Sequence, residues 1–142
     1  MQILAPALLL SLFIASPVIA GPLADAAEAK RWSQVKTLLK AGADVGQTQP
    51  DGMTALHWAV YWDHPAPARR LLQAGADASA MTRYRIAPLT IACQNGNAEI
   101  ARQLLEAGAD PKRRLPGGET PLMTAARTGT REIVELLVEH GA

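Results

Sequence analysis

The chain has 142 residues, 49% hydrophobic and 4% aromatic, which is room and apolar mass for one folded domain, and its Ala- and Leu-rich content suits helix-on-helix packing better than a β-sandwich. A formal charge of +1 excludes any overall electrostatic drive toward nucleic acid or an anionic membrane surface. The single cysteine, Cys93, excludes an intramolecular disulfide framework and every multi-cysteine metal site.

Residues 1–20, MQILAPALLLSLFIASPVIA, carry no charged side chain and hold an apolar stretch from Leu8 to Ala15. That run is too short to cross a bilayer as a stable helix, which takes about 20 apolar residues. It reads as the h-region of a secretory signal, with Val18-Ile19-Ala20 as the cleavage site and Gly21 as the new N-terminus. No Lys or Arg precedes the run, so an uncleaved anchor or a tail is the competing reading. The expectation is export to a periplasmic or secreted location, without stable membrane insertion after cleavage.

From Gly21 onward the sequence repeats every 33 residues without a gap. Thr54-Ala55-Leu56-His57-Trp58-Ala59 aligns with Ala87-Pro88-Leu89-Thr90-Ile91-Ala92 and with Thr120-Pro121-Leu122-Met123-Thr124-Ala125. Downstream, Leu71-Leu72, Leu104-Leu105 and Leu137-Val138 fall in register, as do Gly75-Ala76-Asp77, Gly108-Ala109-Asp110 and Gly141-Ala142. One step earlier, Leu38-Leu39 and Gly42-Ala43-Asp44 mark a more degenerate first copy. Leu56, Ala59 and Val60 lie at i, i+3 and i+4 on one helical face, and Leu71-Leu72 supply a second helix after a break near Asp63. Pro65 and Pro67 fit the first turn of that second helix, where amide groups lack intrahelical partners. Gly75, Gly108 and Gly141 stand where a helix must stop at positive φ. Asp51-Gly52 and Pro116-Gly117-Gly118 supply turn chemistry between units.

With its period and its T-P-L-H-x-A-like segments, matched most closely by Thr54 to Ala59, the sequence resembles the ankyrin-repeat family over about 120 residues. The resemblance extends to the N-terminal part of exported bacterial members. It implies an all-α solenoid of stacked helix-turn-helix units joined by β-hairpin-like loops, in four repeats of about 21–50, 51–83, 84–116 and 117–142. The first copy is polar at Asp25, Glu28, Lys30 and Arg31, as suits an N-terminal cap. The last has no polar helix after it, which predicts partly open apolar faces at Leu122, Ile133 and Leu137. Two readings of that end stand: a piece of a longer array, or a last repeat capped by Arg131, Glu132, Glu135 and Glu139.

No constellation in the chain carries catalysis. The resemblance gives His57 a hydrogen-bonding role with Thr54 at the start of a helix, and His64 reads as an exposed turn residue. No histidine pair has the i, i+4 spacing of a helical metal site. Cys93 lies on a first helix where a buried thiol acts as a small hydrophobe. Asp44, Asp77 and Asp110 recur at one repeat position and read as architecture. The expectation is therefore no catalytic residue, cofactor, metal or small-molecule substrate.

Two features suggest a protein partner instead. Trp58, Tyr61 and Trp62 occupy first-helix positions that the resemblance marks as variable, beside Gln94, Asn95 and Arg127 of the next copies. Stacking would line them up on the concave side, where exposed Trp and Tyr beside Arg have the composition of an interface hot spot. Trp58 fits this surface or the core equally well. Arg83 and Arg85 in one projecting loop, and Lys112, Arg113 and Arg114 in the next, would set five cations along one edge. Such loop tips are either a contact for an acidic partner or plain solvated charge, and export disfavours nucleic acid as the partner.

Overall fold

The computed structural model describes residues 22–142, so the predicted signal segment and its cleavage site lie outside the described residues. Eight helices follow in four pairs: α1 (Pro22–Glu28) and α2 (Trp32–Lys40), α3 (Ala55–Tyr61) and α4 (Pro65–Gln73), α5 (Pro88–Asn95) and α6 (Ala98–Glu106), α7 (Pro121–Thr128) and α8 (Arg131–Glu139). The described residues contain no strand, and the protein is an all-α repeat solenoid.

Each helix is short, and isolated helices of this length are marginal in water. They persist by stacking. The first helices α1, α3, α5 and α7 pack side by side in one row, and α4, α6 and α8 in a second. Between the rows runs a core of Leu23, Leu56, Leu71, Leu89, Ile100, Leu104, Ile133 and Leu137, each at most 2% exposed. Ala59, Ala92 and Ala125 are fully buried 33 residues apart, and their small side chains let the first helices approach closely.

Backbone turns repeat on the same period. Gly42, Gly75, Gly108 and Gly141 close the second helices at positive φ. Between the two helices of a pair, the left-handed position is held by Lys30, Asp63, Gly96 and Gly129. After each second helix Asp44, Asp77 and Asp110 accept, through Oδ1, the amide two residues on, each at 2.9 Å. That shared bond is the architectural role their recurrence suggested. The projecting loops are hairpin-like, with Gln49 and Met53, Thr82 and Ile86, and Leu115 and Glu119 joined amide to carbonyl at 2.9, 3.0 and 2.9 Å. The first two of these loops also bond to each other, since the Arg83 amide donates to the Asp51 carbonyl at 2.7 Å.

The last pair departs from expectation. Ile133 and Leu137 are fully buried against their own partner helix, and Leu122 is half-buried. The apolar side chains open to water there are Met123 and Val138, each 57% exposed. Ile133 and Leu137 point into the pair because they lie on the same face of α8 as Leu136, whereas Val138 is rotated off it.

Candidate functional site

Positions 62, 95 and 128 follow one another at the repeat spacing, and all three do the same mechanical work. The Trp62 indole Nε1 donates to the Glu28 carbonyl at 3.2 Å. The Asn95 amide donates to the Val60 and Tyr61 carbonyls at 3.2 and 3.4 Å. The Thr128 hydroxyl donates to the Cys93 carbonyl at 3.2 Å. Each therefore ties a carbonyl in the last turn of the preceding first helix to the next repeat. Trp62 is half-buried rather than exposed, and Lys30 Nζ sits 3.9 Å from its ring centroid. Trp62 is thus drawn into the scaffold as a clamp between repeats, whereas Asn95 clamps and stays exposed, as expected.

The neighbouring row is different. Tyr61, Gln94 and Arg127 are all exposed, Tyr61 at 52%; Arg127 bonds to Glu119 of its own repeat at 2.8 Å. Trp58, one turn before Tyr61, is half-buried and donates Nε1 to Gln49 Oε1 at 2.7 Å, which answers both earlier readings by halves. The Trp58 and Tyr61 rings meet edge-on at 5.4 Å and 84°, and Tyr61 meets Trp62 likewise at 4.9 Å.

The Trp58 and Tyr61 rings form one wall of an open recess of about 330 Å³ where the projecting loops meet the first helices. Asp51 and Tyr84 enter from two successive loops, and Ile91, Gln94 and Asn95 from α5. On the other side of Trp58 lies a second, shallower recess of about 390 Å³ lined by Asp25, Glu28, Gln49 and Asp51. Gln49 Nε2 bridges Asp25 and Glu28 at 2.8 and 2.7 Å while its Oε1 holds the indole, so the two carboxylates are fixed beside Trp58.

Tyr84, 70% exposed, is the residue that the sequence reading missed. It lies between Arg83 and Arg85, so its immediate sequence context is that of a charged loop tip. Both arginines are exposed but line neither recess. Lys112 and Arg114 are exposed in the next loop and line a separate recess with Thr120 and Leu122. Arg113 is no loop tip: it is half-buried, with Nε 3.5 Å from Asp110 and Nη1 3.2 Å from the Met81 sulfur. Of the five cations expected along one edge, four are therefore exposed.

His57 is fully buried and completes a reciprocal cap on α3, its backbone amide reaching Thr54 Oγ1 and its Nδ1 accepting the Thr54 amide at 3.2 Å. That acceptance makes Nε2 the protonated nitrogen, which donates to the Ile86 carbonyl of the following loop at 3.1 Å. Burial pushes the imidazole below its ordinary pKa, against the weaker opposing pull of the Ile86 carbonyl. His64 is half-buried rather than exposed, its ring 5.1 Å from that of Trp32. Burial pushes the Cys93 thiol up to about 12, so it carries no thiolate near neutral pH. Among the described residues no group of three His, Cys, Asp or Glu side chains could hold a metal ion, and no helix is long and apolar enough to cross a membrane.

In comparison with known proteins, the family model described as ankyrin repeats (3 copies) matches residues 23–115 and again 87–142. No curated protein matches the chain.

Proposed function

We propose a binding role on the premise that this chain belongs to the ankyrin-repeat family, whose repeats are in general protein–protein interaction modules and whose members are typically non-enzymatic. In this reading the chain docks a protein partner against its first-helix row and loop tips, with Trp58, Tyr61 and Tyr84 as anchors. The observation that carries it is the exposure of Tyr61 and Tyr84 in one recess, with Asn95 exposed beside them, while the neighbouring Trp62 is half-buried against the preceding repeat. Aromatic anchors in a recess are the usual source of interface affinity.

The same reading has the protein act outside the cytoplasm, because residues 1–20 have signal-segment composition. N-terminal sequencing of the protein from the extracytoplasmic fraction should begin at Gly21. Recovery of an uncut chain in the cytoplasm would contradict export.

Affinity capture from that fraction tests binding. A partner recovered with the parent and with Lys36→Ala, but lost with the Tyr61→Ala/Tyr84→Ala double variant, is the expected result. Equal recovery by the double variant would remove these anchors from the interface. A spacer role within a larger exported protein would show as recovery of no partner by any form.

A further inference from the structure

The charge around the recesses narrows the partner's chemistry. The charged residues lining the two recesses on either side of Trp58 are Asp25, Glu28 and Asp51, all acidic. Arg83 and Arg85, though adjacent to Tyr84 in sequence, line neither. The acidic groups are held in place: Asp51 Oδ1 accepts the Met53 amide at 3.0 Å, and Gln49 pins Asp25 and Glu28 beside the indole. The near-perpendicular rings of Trp58 and Tyr61 form a corner rather than a stack. Electron-rich ring faces with carboxylates at their rim attract an ammonium or guanidinium group. The chain supplies its own example, because Lys30 Nζ already lies over the Trp62 face of this aromatic cluster.

We infer that the Trp58–Tyr61–Tyr84 recess takes a lysine or arginine side chain from an extended segment of a protein partner, with the cation set against the rings and Asp51 as its counter-charge. This rests on the binding-module reading and adds to it the sign of the partner's charge. A neutral apolar anchor would gain the ring contacts but leave Asp51, the one charged residue lining that recess, without a counter-charge. An acidic anchor would meet like charge on entry.

Fluorescently labelled nonapeptide pools with neutral residues at eight positions and Lys, Arg, norleucine or Glu fixed at the centre would test it on the full chain. The Lys and Arg pools should bind about tenfold tighter than the norleucine pool, a margin that a cation over rings plus one carboxylate can supply. Asp51→Asn keeps an acceptor for the Met53 amide, and Tyr61→Ala and Tyr84→Ala change exposed side chains. All three should erase the margin, and raised salt should shrink it, whereas Arg83→Ala should leave it intact. Equal binding of the norleucine pool would overturn the inference in favour of a purely apolar anchor. A leading Glu pool that is lost with Arg83→Ala would overturn it in favour of an acidic partner. Both of those outcomes preserve the binding-module reading. Binding of no pool would overturn the inference, and the capture experiment decides the module reading separately.

Discussion

At φ 60°, Arg85 occupies the left-handed position that glycine holds in the other two loops, Gly52 and Gly118. Gly52 has a second constraint, because a Cβ there would meet the Arg83 amide nitrogen at 2.9 Å. Arg85 bears the steric cost of a left-handed L-residue, so Arg85→Gly should stabilise the protein by roughly 0.5–1 kcal/mol after the added freedom of the unfolded chain is subtracted. Denaturant melts would check it, and a loss of stability would mean that the arginine side chain holds the loop through contacts of its own. His57 makes the second residue-scale prediction. Its folded pKa lies below the ordinary histidine value of about 6.5, so its contribution to stability is complete above that pH and is lost as pH falls toward the lowered value. Melts between pH 7 and pH 5 should show a decline that His57→Gln reduces. An identical slope in the variant would assign the decline to other groups.

Among the first helices α3, α5 and α7, the N-cap side chain is missing from one. Thr54 and Thr120 cap α3 and α7 through their side chains, while Ala87 has the same extended backbone and nothing to offer α5. Ala87→Thr should therefore stabilise the protein by about 0.5–2 kcal/mol, read as a shift of the denaturation midpoint at constant slope. The helices themselves were legible in the sequence because burial repeats with residue type: Leu56 and Leu89, then Leu71 and Leu104, are apolar wherever the stack encloses them. The clamps were not legible. Trp62, Asn95 and Thr128 share no residue type, and an indole, an amide and a hydroxyl look like variation until their common target, a helix-end carbonyl, is seen. The sequence therefore presents both Trp62 and Asn95 as partner-facing, and of the two only Trp62 is half-buried in the scaffold, while Asn95 still lines the recess. Arg113 was misplaced for a related reason, since neither Asp110 nor Met81 announces in sequence that it will draw the guanidinium inward.

Across the whole molecule, cohesion is a sum of contacts between neighbouring pairs. Arg69 bonds Glu99 at 3.0 Å and Arg102 bonds Glu132 at 2.8 Å, a repeating ladder along the second-helix row, but such exposed pairs are worth about 0–1 kcal/mol each. The core dominates. Leu89, 2% exposed with helix pairs on both sides, should cost about 2–5 kcal/mol when cut to alanine. Against a total of about 5–15 kcal/mol, Leu89→Ala should weaken the entire stack in one transition, while exposed Arg83→Ala should shift it by about 0.5 kcal/mol or less. A Leu89→Ala protein as stable as its parent would contradict the register itself. The central claim, that the recess at Trp58, Tyr61 and Tyr84 is where a partner docks, is tested most directly by photocrosslinking in intact cells. A photoreactive phenylalanine placed singly at positions 61, 84 and 36 would report contact at the recess and at an exposed site on α2. Positions 61 and 84 should yield the same adduct and position 36 none. Adducts absent from both recess positions, or equally strong at position 36, would contradict the account.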